Sequence, residues 1–203
     1  MIIQKEKSEA ELNALRVQVN PHFLFNGLNS IYSLVLKHSD KASETILKLS
    51  EILRYIIYET QKGEVDLKRE LDYMQHYIDI QRLRSGPLAK IEVSITGNLG
   101  NRKIAPLLFL PLIENSFKHG IKGETGNTFV LMEWIIGESF IRFVTENNKG
   151  QSEDIDKDKR PGIGLENLKQ RLNIIYPGRH HFKITETEEL FKVELEIQTT
   201  DET

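Results

Sequence analysis

Hydrophobic residues along this chain follow two different rhythms, and the change falls near residue 86. Before it, apolar side chains recur at helical spacing, and residues 5–84 read as helix with two interruptions, "HSDKAS" at 38–43 and "TQKGEVD" at 60–66. The first interruption offers Ser39 or Asp40 as an N-cap, and the second offers Asp66. On a helix taken from Val19 to Leu36, Leu24, Leu28, Ile31 and Val35 cluster about 180–240° from His22 and form the expected apolar stripe. The middle helix shows Ile46, Leu49, Leu53, Ile56 and Ile57, and the third Leu67, Leu71, Met74 and Ile78. Short amphipathic helices cannot bury such stripes alone. A helical hairpin pairing with a second copy in a four-helix bundle is therefore expected, ahead of packing against the rest of its own chain.

After "RSGPLA" (84–89) the pattern shortens. "KIEVSIT" (90–96) alternates as a strand, and "NTFVLMEWII" and "SFIRFVTE" form a hairpin around Gly137-Glu138. "APLLFLPLIENSFKHG" (105–120) reads as a helix with Pro106 in its first turn and Gly120 at its end. "GLENLKQRLNIIY" places Leu165, Leu168, Leu172 and Ile175 on one helical face, and "HHFKITE" and "LFKVELEIQ" close the chain as strands. The fold class expected is α+β: a helical region over 1–86, then an α/β sandwich over 87–203 with an antiparallel or mixed sheet and helices on one face.

Composition narrows the function. The chain has 203 residues, 39% apolar and 28% charged, with a net charge of −3, so no basic excess points to nucleic acid. The absence of cysteine excludes disulfides, thiolate catalysis and cysteine-ligated zinc. The longest apolar run, "IAPLLFLPLI" (104–113), is shorter than the ~20 residues that span a bilayer and holds two prolines. No signal peptide is recognisable, and the charged start reads like the end of a helical linker with an upstream part left out. A soluble, cytoplasmic piece is expected.

Two stretches carry candidate chemistry. In "VNPHFLFNGLNS" (19–30), His22 shares a polar stripe with Asn26, Asn29 and Ser33, all within about 40°, and with Gln18 one turn back. Such a histidine is an accessible nucleophile or a surface residue beside a proline kink. No carboxylate lies within a turn of it, the nearest acids in sequence being Glu11 and Asp40. A neutral imidazole needs orientation more than a strong base, and Asn26 or Gln18 could supply it. In "PLIENSFKHGI" (111–121), Glu114, Asn115, Lys118, His119 and Gly120 fall within two helical turns. An asparagine oxygen suits Mg²⁺, and Lys118 and His119 suit phosphate, although an ordinary polar helix face has the same composition. "GIG" (162–164) can set backbone N–H groups and a helix N-terminus against an anion, after a charged loop at 147–161 that has the length of a lid.

"ENSFKHG" resembles the N box of the GHKL ATP-binding fold, and "PGIGLENLKQRL" resembles its G2 box. "LRVQVNPHFLFNGLNSI" and "RELDYMQHYIDIQRLR" (69–84) resemble the phosphoacceptor and joining segments of LytS-type sensor histidine kinases. The resemblance runs from about Leu12 to Ile197. It implies a Bergerat-type ATP-binding domain, ATP and Mg²⁺ as cofactors, autophosphorylation of His22, and transfer to an aspartate of a response regulator, the LytTR type among the candidates. It also implies a homodimer and a parent protein anchored in the inner membrane. Carried over, Asn115 is the Mg²⁺ ligand, Glu114 acts near the γ-phosphate, and Lys118, His119 and Gly120 are phosphate neighbours. Gly162, Ile163, Gly164 and Leu165 become the hinge and cradle after the lid, and "RLRSGPL" the hinge between the two parts. The family's adenine motif, Asp-x-Gly-x-Gly, is matched by "ENNKG": Glu146 stands for the Asp, Asn148 replaces the first glycine, Gly150 keeps the second, and Asn147 can share the task. That departure leaves a second expectation, a scaffold with weak or no nucleotide binding that dimerises and docks a response regulator.

Overall fold

A computed structural model describes residues 21–85, 88–121, 128–149 and 163–199. In chain order these form α1 (Pro21–Leu36), α2 (Lys41–Tyr58), β1 (Val65–Asp66), α3 (Leu67–Arg84), β2 (Lys90–Gly97), β3 (Lys103–Ile104) and α4 (Leu110–Gly120). They continue with β4 (Phe129–Ile136), β5 (Phe140–Asn148), α5 (Ile163–Ile175), β6 (His180–Glu186) and β7 (Leu190–Gln198). The architecture is α+β, with three helices preceding a mixed five-stranded sheet of order β2-β4-β5-β7-β6. β2 runs parallel to β4, and the other pairings are antiparallel.

The sheet buries one face by strict alternation. Val130, Met132, Trp134 and Ile136 of β4 stand opposite Asn147, Thr145, Phe143 and Ile141 of β5, and all eight are buried. Trp134 stacks on Phe143 at 4.2 Å, and Phe109 closes on both rings edge-on. α4 packs against β4 and β5 on this face, and α5 packs beside α4. Leu168 and Leu172 point into the core, with Leu165 and Ile175 partly buried, as the helical spacing predicts.

Three expectations change. The first helix has its apolar residues on two faces: Phe23, Gly27 and Ile31 are buried, whereas Leu28 and Val35 remain exposed. The predicted stripe straddled both faces. Similarly, α2 buries Thr45, Leu49, Ile52 and Tyr55 and leaves Ile46, Leu53 and Ile57 outward. By contrast, the Leu67, Leu71, Met74 and Ile78 stripe of α3 is fully buried. The third change is at α4, which starts at Leu110 with Pro111 in its first turn, rather than at Pro106. Residues 105–109 form a buried turn instead, in which Leu107 takes a left-handed φ of 55°. Asp40 and Asp66 stand at their cap positions, but neither side chain makes a cap hydrogen bond; Ser39 Oγ accepts from the Lys41 N–H at 3.4 Å.

A buried carboxylate explains that turn. Glu70 of α3 is fully buried and accepts from the backbone N–H groups of Leu107 at 3.0 Å and Leu108 at 3.1 Å, and from the Tyr55 hydroxyl. Arg171 of α5 donates to the carbonyls of Pro106 and of Leu107, the latter at 3.2 Å. Burial pushes the Glu70 carboxyl up, while Tyr55, the two N–H groups and Arg171 favour its charge. β1 adds an antiparallel pair with β3, Val65 opposite Ile104. Hydrophobic packing is continuous from Phe23 to Ile197. Among the described residues, no helix is long and apolar enough to cross a membrane.

Candidate active site

α4 presents the candidate phosphate-binding residues on one short helix. Lys118 is exposed, Glu114, Asn115 and His119 are partly buried, and Gly120 is buried. The helix sits close on the sheet: Ser116 and Thr145 share a buried hydroxyl–hydroxyl bond. Gly120 is required by this approach, because a Cβ there would lie 2.7 Å from Asn147 Cβ and 3.0 Å from Val130 Cγ2.

β5 alternation separates the two residues proposed to read a base. Glu146 lies opposite Leu131 and Lys192, on the face of the sheet away from the helices. Asn147 faces α4, is fully buried, and its Nδ2 donates to the Asn148 carbonyl at 3.0 Å. Its Oδ1 is buried without a hydrogen-bond partner among the described residues. The structure thus places Asn147, not Glu146, beside the end of α4. A strand's period of two decides this: Ile141, Phe143 and Thr145 point inward, so residue 147 does too. β5 also runs through Asn148, so only residues after that strand are available to the predicted lid.

His22 is exposed on α1. Asn26, one turn on, places its Nδ2 3.0 Å from Nδ1 and 3.2 Å from Nε2 of the imidazole. Phe23 turns the other way, 5% exposed, and stacks on Tyr77 of α3 with centroids 4.2 Å apart and planes at 18°. Tyr77 Oη donates to Glu114 Oε1 at 3.3 Å and accepts from Gln81 Nε2 at 2.9 Å. The phosphoacceptor candidate and the N-box-like helix are therefore joined within one chain through α3.

Several predicted positions lie outside the described residues: Gln18, Gly150, Gly162, the 150–161 part of the lid, and residues 86–87 of the proposed hinge. Ile163 opens α5, Gly164 is exposed with open space where a Cβ would stand, and Leu165 packs against the core. The sequence reading missed Glu70, Tyr77 and Arg171. Their spacing looks like ordinary amphipathic helix; the available signal was a charged residue in phase with an apolar stripe, Glu70 beside Leu67 and Leu71 and Arg171 beside Leu168 and Leu172.

The residues present fit a magnesium nucleotide: Asn147 Oδ1 is a buried acceptor without a partner among the described residues, and Asn115 on α4 carries a partly buried amide oxygen of the kind that would suit Mg²⁺.

Residues 10–88 match the family model described as histidine kinase. The sensor histidine kinase YpdA of Escherichia coli is 32% identical over 188 residues, which are 89% of this chain and 33% of that protein. The sensor protein LytS of Streptococcus agalactiae is 31% identical over 182 residues, 85% of this chain and 31% of the relative. The chain thus spans about a third of the length of the curated relatives it matches. Among solved structures, the histidine kinase domain of a blue-light activated histidine kinase from Erythrobacter litoralis shares the fold with a TM-score of 0.50. That likeness covers 95% of each chain at 15% identity. Motifs, fold and relatives together place this chain in the histidine kinase family, among the LytS-type sensor kinases.

Proposed function

We propose that the chain binds ATP with Mg²⁺ between α4, α5 and the sheet, phosphorylates His22, and passes the phosphoryl group to an aspartate of a response regulator. The observation that carries this reading is Asn147. One Nδ2 hydrogen is engaged by the Asn148 carbonyl and Oδ1 is without a partner among the described residues, so the amide has a buried acceptor of the kind the exocyclic amine of adenine requires. Asn115 would hold Mg²⁺, which when bound neutralises charge on the phosphates, and Lys118 and His119 would face their oxygens. At His22, Asn26 can turn its amide oxygen to the ring N–H, fixing the tautomer and leaving the other nitrogen free. That nitrogen's lone pair forms the P–N bond as the γ-phosphorus–bridging oxygen bond breaks and ADP leaves.

The reading is tested with labelled ATP and Mg²⁺. Label that survives base, is lost in acid and disappears in His22→Gln supports it; equal labelling of wild type and variant sinks it. Calorimetry with a non-hydrolysable ATP analogue discriminates the scaffold alternative, which an absence of detectable binding favours.

Dimer formation is part of the same proposal. Phe25, Leu28, Tyr32 and Val35 form an exposed seam on α1, and Ile46, Leu53 and Ile57 leave α2 similarly uncovered. Their spacing is that of a helix seam awaiting a partner helix, and a second copy of this chain fits it. The upstream sensor or membrane part of the parent protein, and a LytTR-type response regulator as partner, belong to this proposal too.

A further inference from the structure

We infer that Tyr77 is a positioning residue for phosphoryl transfer, holding the Glu114 carboxylate with its hydroxyl and the His22 end of α1 with its ring. The inference rests on the kinase reading above and assigns a role to a residue outside the recognised boxes.

Tyr77 is 2% exposed in the middle of α3, and its two ends do different things. The ring face meets Phe23, the residue directly after His22. In α1 the flanking residues are an exposed His22 and a partly buried Leu24, so Phe23 is the buried anchor next to His22 and fixes how it is presented. The hydroxyl meets Glu114, directly before Asn115 on α4. Gln81 Nε2 donates to Tyr77 Oη, so the hydroxyl proton is directed to Glu114, and the three groups form one donor chain, Gln81 to Tyr77 to Glu114. Burial and the nearby Glu114 hold the Tyr77 phenol well above its usual range, which keeps it a donor. Only tyrosine meets both demands: phenylalanine keeps the stack and loses the donor, and an aliphatic residue loses both. The Phe23 ring thus docks α1 on α3 beside His22.

The test compares wild type, Tyr77→Phe and Phe23→Leu in autophosphorylation with labelled ATP and Mg²⁺, each at varied ATP and below its melting temperature. Tyr77→Phe is expected to lower the rate at saturating ATP by about tenfold while KM for ATP stays within about twofold. Phe23→Leu is expected to give the same split by a different route, slower labelling of His22 by about fivefold or more with nucleotide binding unchanged. A purely structural Tyr77 would show a lower melting temperature in Tyr77→Phe with the saturated rate within about twofold of wild type, and that result overturns the inference. A Tyr77→Phe variant whose loss lies wholly in KM overturns it as well. Absence of label at His22 in the wild type overturns the kinase reading and this inference with it, whereas label in the wild type with an unchanged Tyr77→Phe rate overturns this inference alone.

Discussion

Asn147 and Glu146 are adjacent and both polar, yet a strand sends one under α4 and the other to the opposite face of the sheet. Motif matching counts positions from a glycine and favours Glu146; burial favours Asn147. The two assignments predict opposite outcomes. Asn147→Ala should weaken binding of an ATP analogue by about tenfold, the worth of one hydrogen bond in a dry site, and Glu146→Gln should leave it within about twofold, both by calorimetry. His22 and Asn26 were legible as neighbours because helical spacing of four residues alone brings them together. Phe23 was not, since nothing local says which ring it will meet.

At the scale of the element, α1 has three faces rather than two. Measured from His22, Phe23, Gly27 and Ile31 lie at about 100–180° and are buried, while Phe25, Leu28, Tyr32 and Val35 lie at about 220–300° and are exposed. A periodicity search returns one broad stripe because both faces are apolar; only the position of α3 divides them. If the outer face is the dimer seam, Tyr32→Glu should raise the dimer dissociation constant by about 100-fold or more, read by light scattering over a dilution series. The end of α2 supports a second prediction. Glu59 accepts from Lys62 at 2.6 Å and pairs with Arg69, and these cations hold its carboxyl below the usual range. A lowered folded-state pKa contributes stability above the unfolded value, and that contribution is lost as pH falls through the folded one. Because Lys62 and Arg69 are more than half exposed, Glu59→Gln should cost under about 1 kcal/mol at pH 7. The difference should vanish in acid, as followed by urea denaturation across pH.

The whole molecule is held together at Glu70. Its carboxylate receives Tyr55 of α2 and the two backbone N–H groups that precede α4, and Arg171 of α5 grips the carbonyls of the same turn. The turn that starts the candidate nucleotide-binding helix is thus fixed by the helical region before it. Glu70→Ala would leave buried donors unmatched and should cost about 3–5 kcal/mol in chemical denaturation, far more than loss of an exposed ion pair. ATP affinity should fall in step, because the turn sets where α4 begins.

The sequence by itself determined the elements, the break between helical and sheet regions, and the order of motifs that marks the family. These follow from local periodicity, turn residues and short-range spacing, which need no distant partner. It did not determine which apolar face of α1 is buried, where α4 begins, which residue of "ENNKG" faces the helices, or that Tyr77 touches both Phe23 and Glu114. Each of these depends on contacts between residues far apart in the chain, 65 positions in the case of the Arg171–Pro106 hydrogen bond. Such contacts are chosen by packing and by the need to satisfy buried polar groups, and both are settled only when the layers meet.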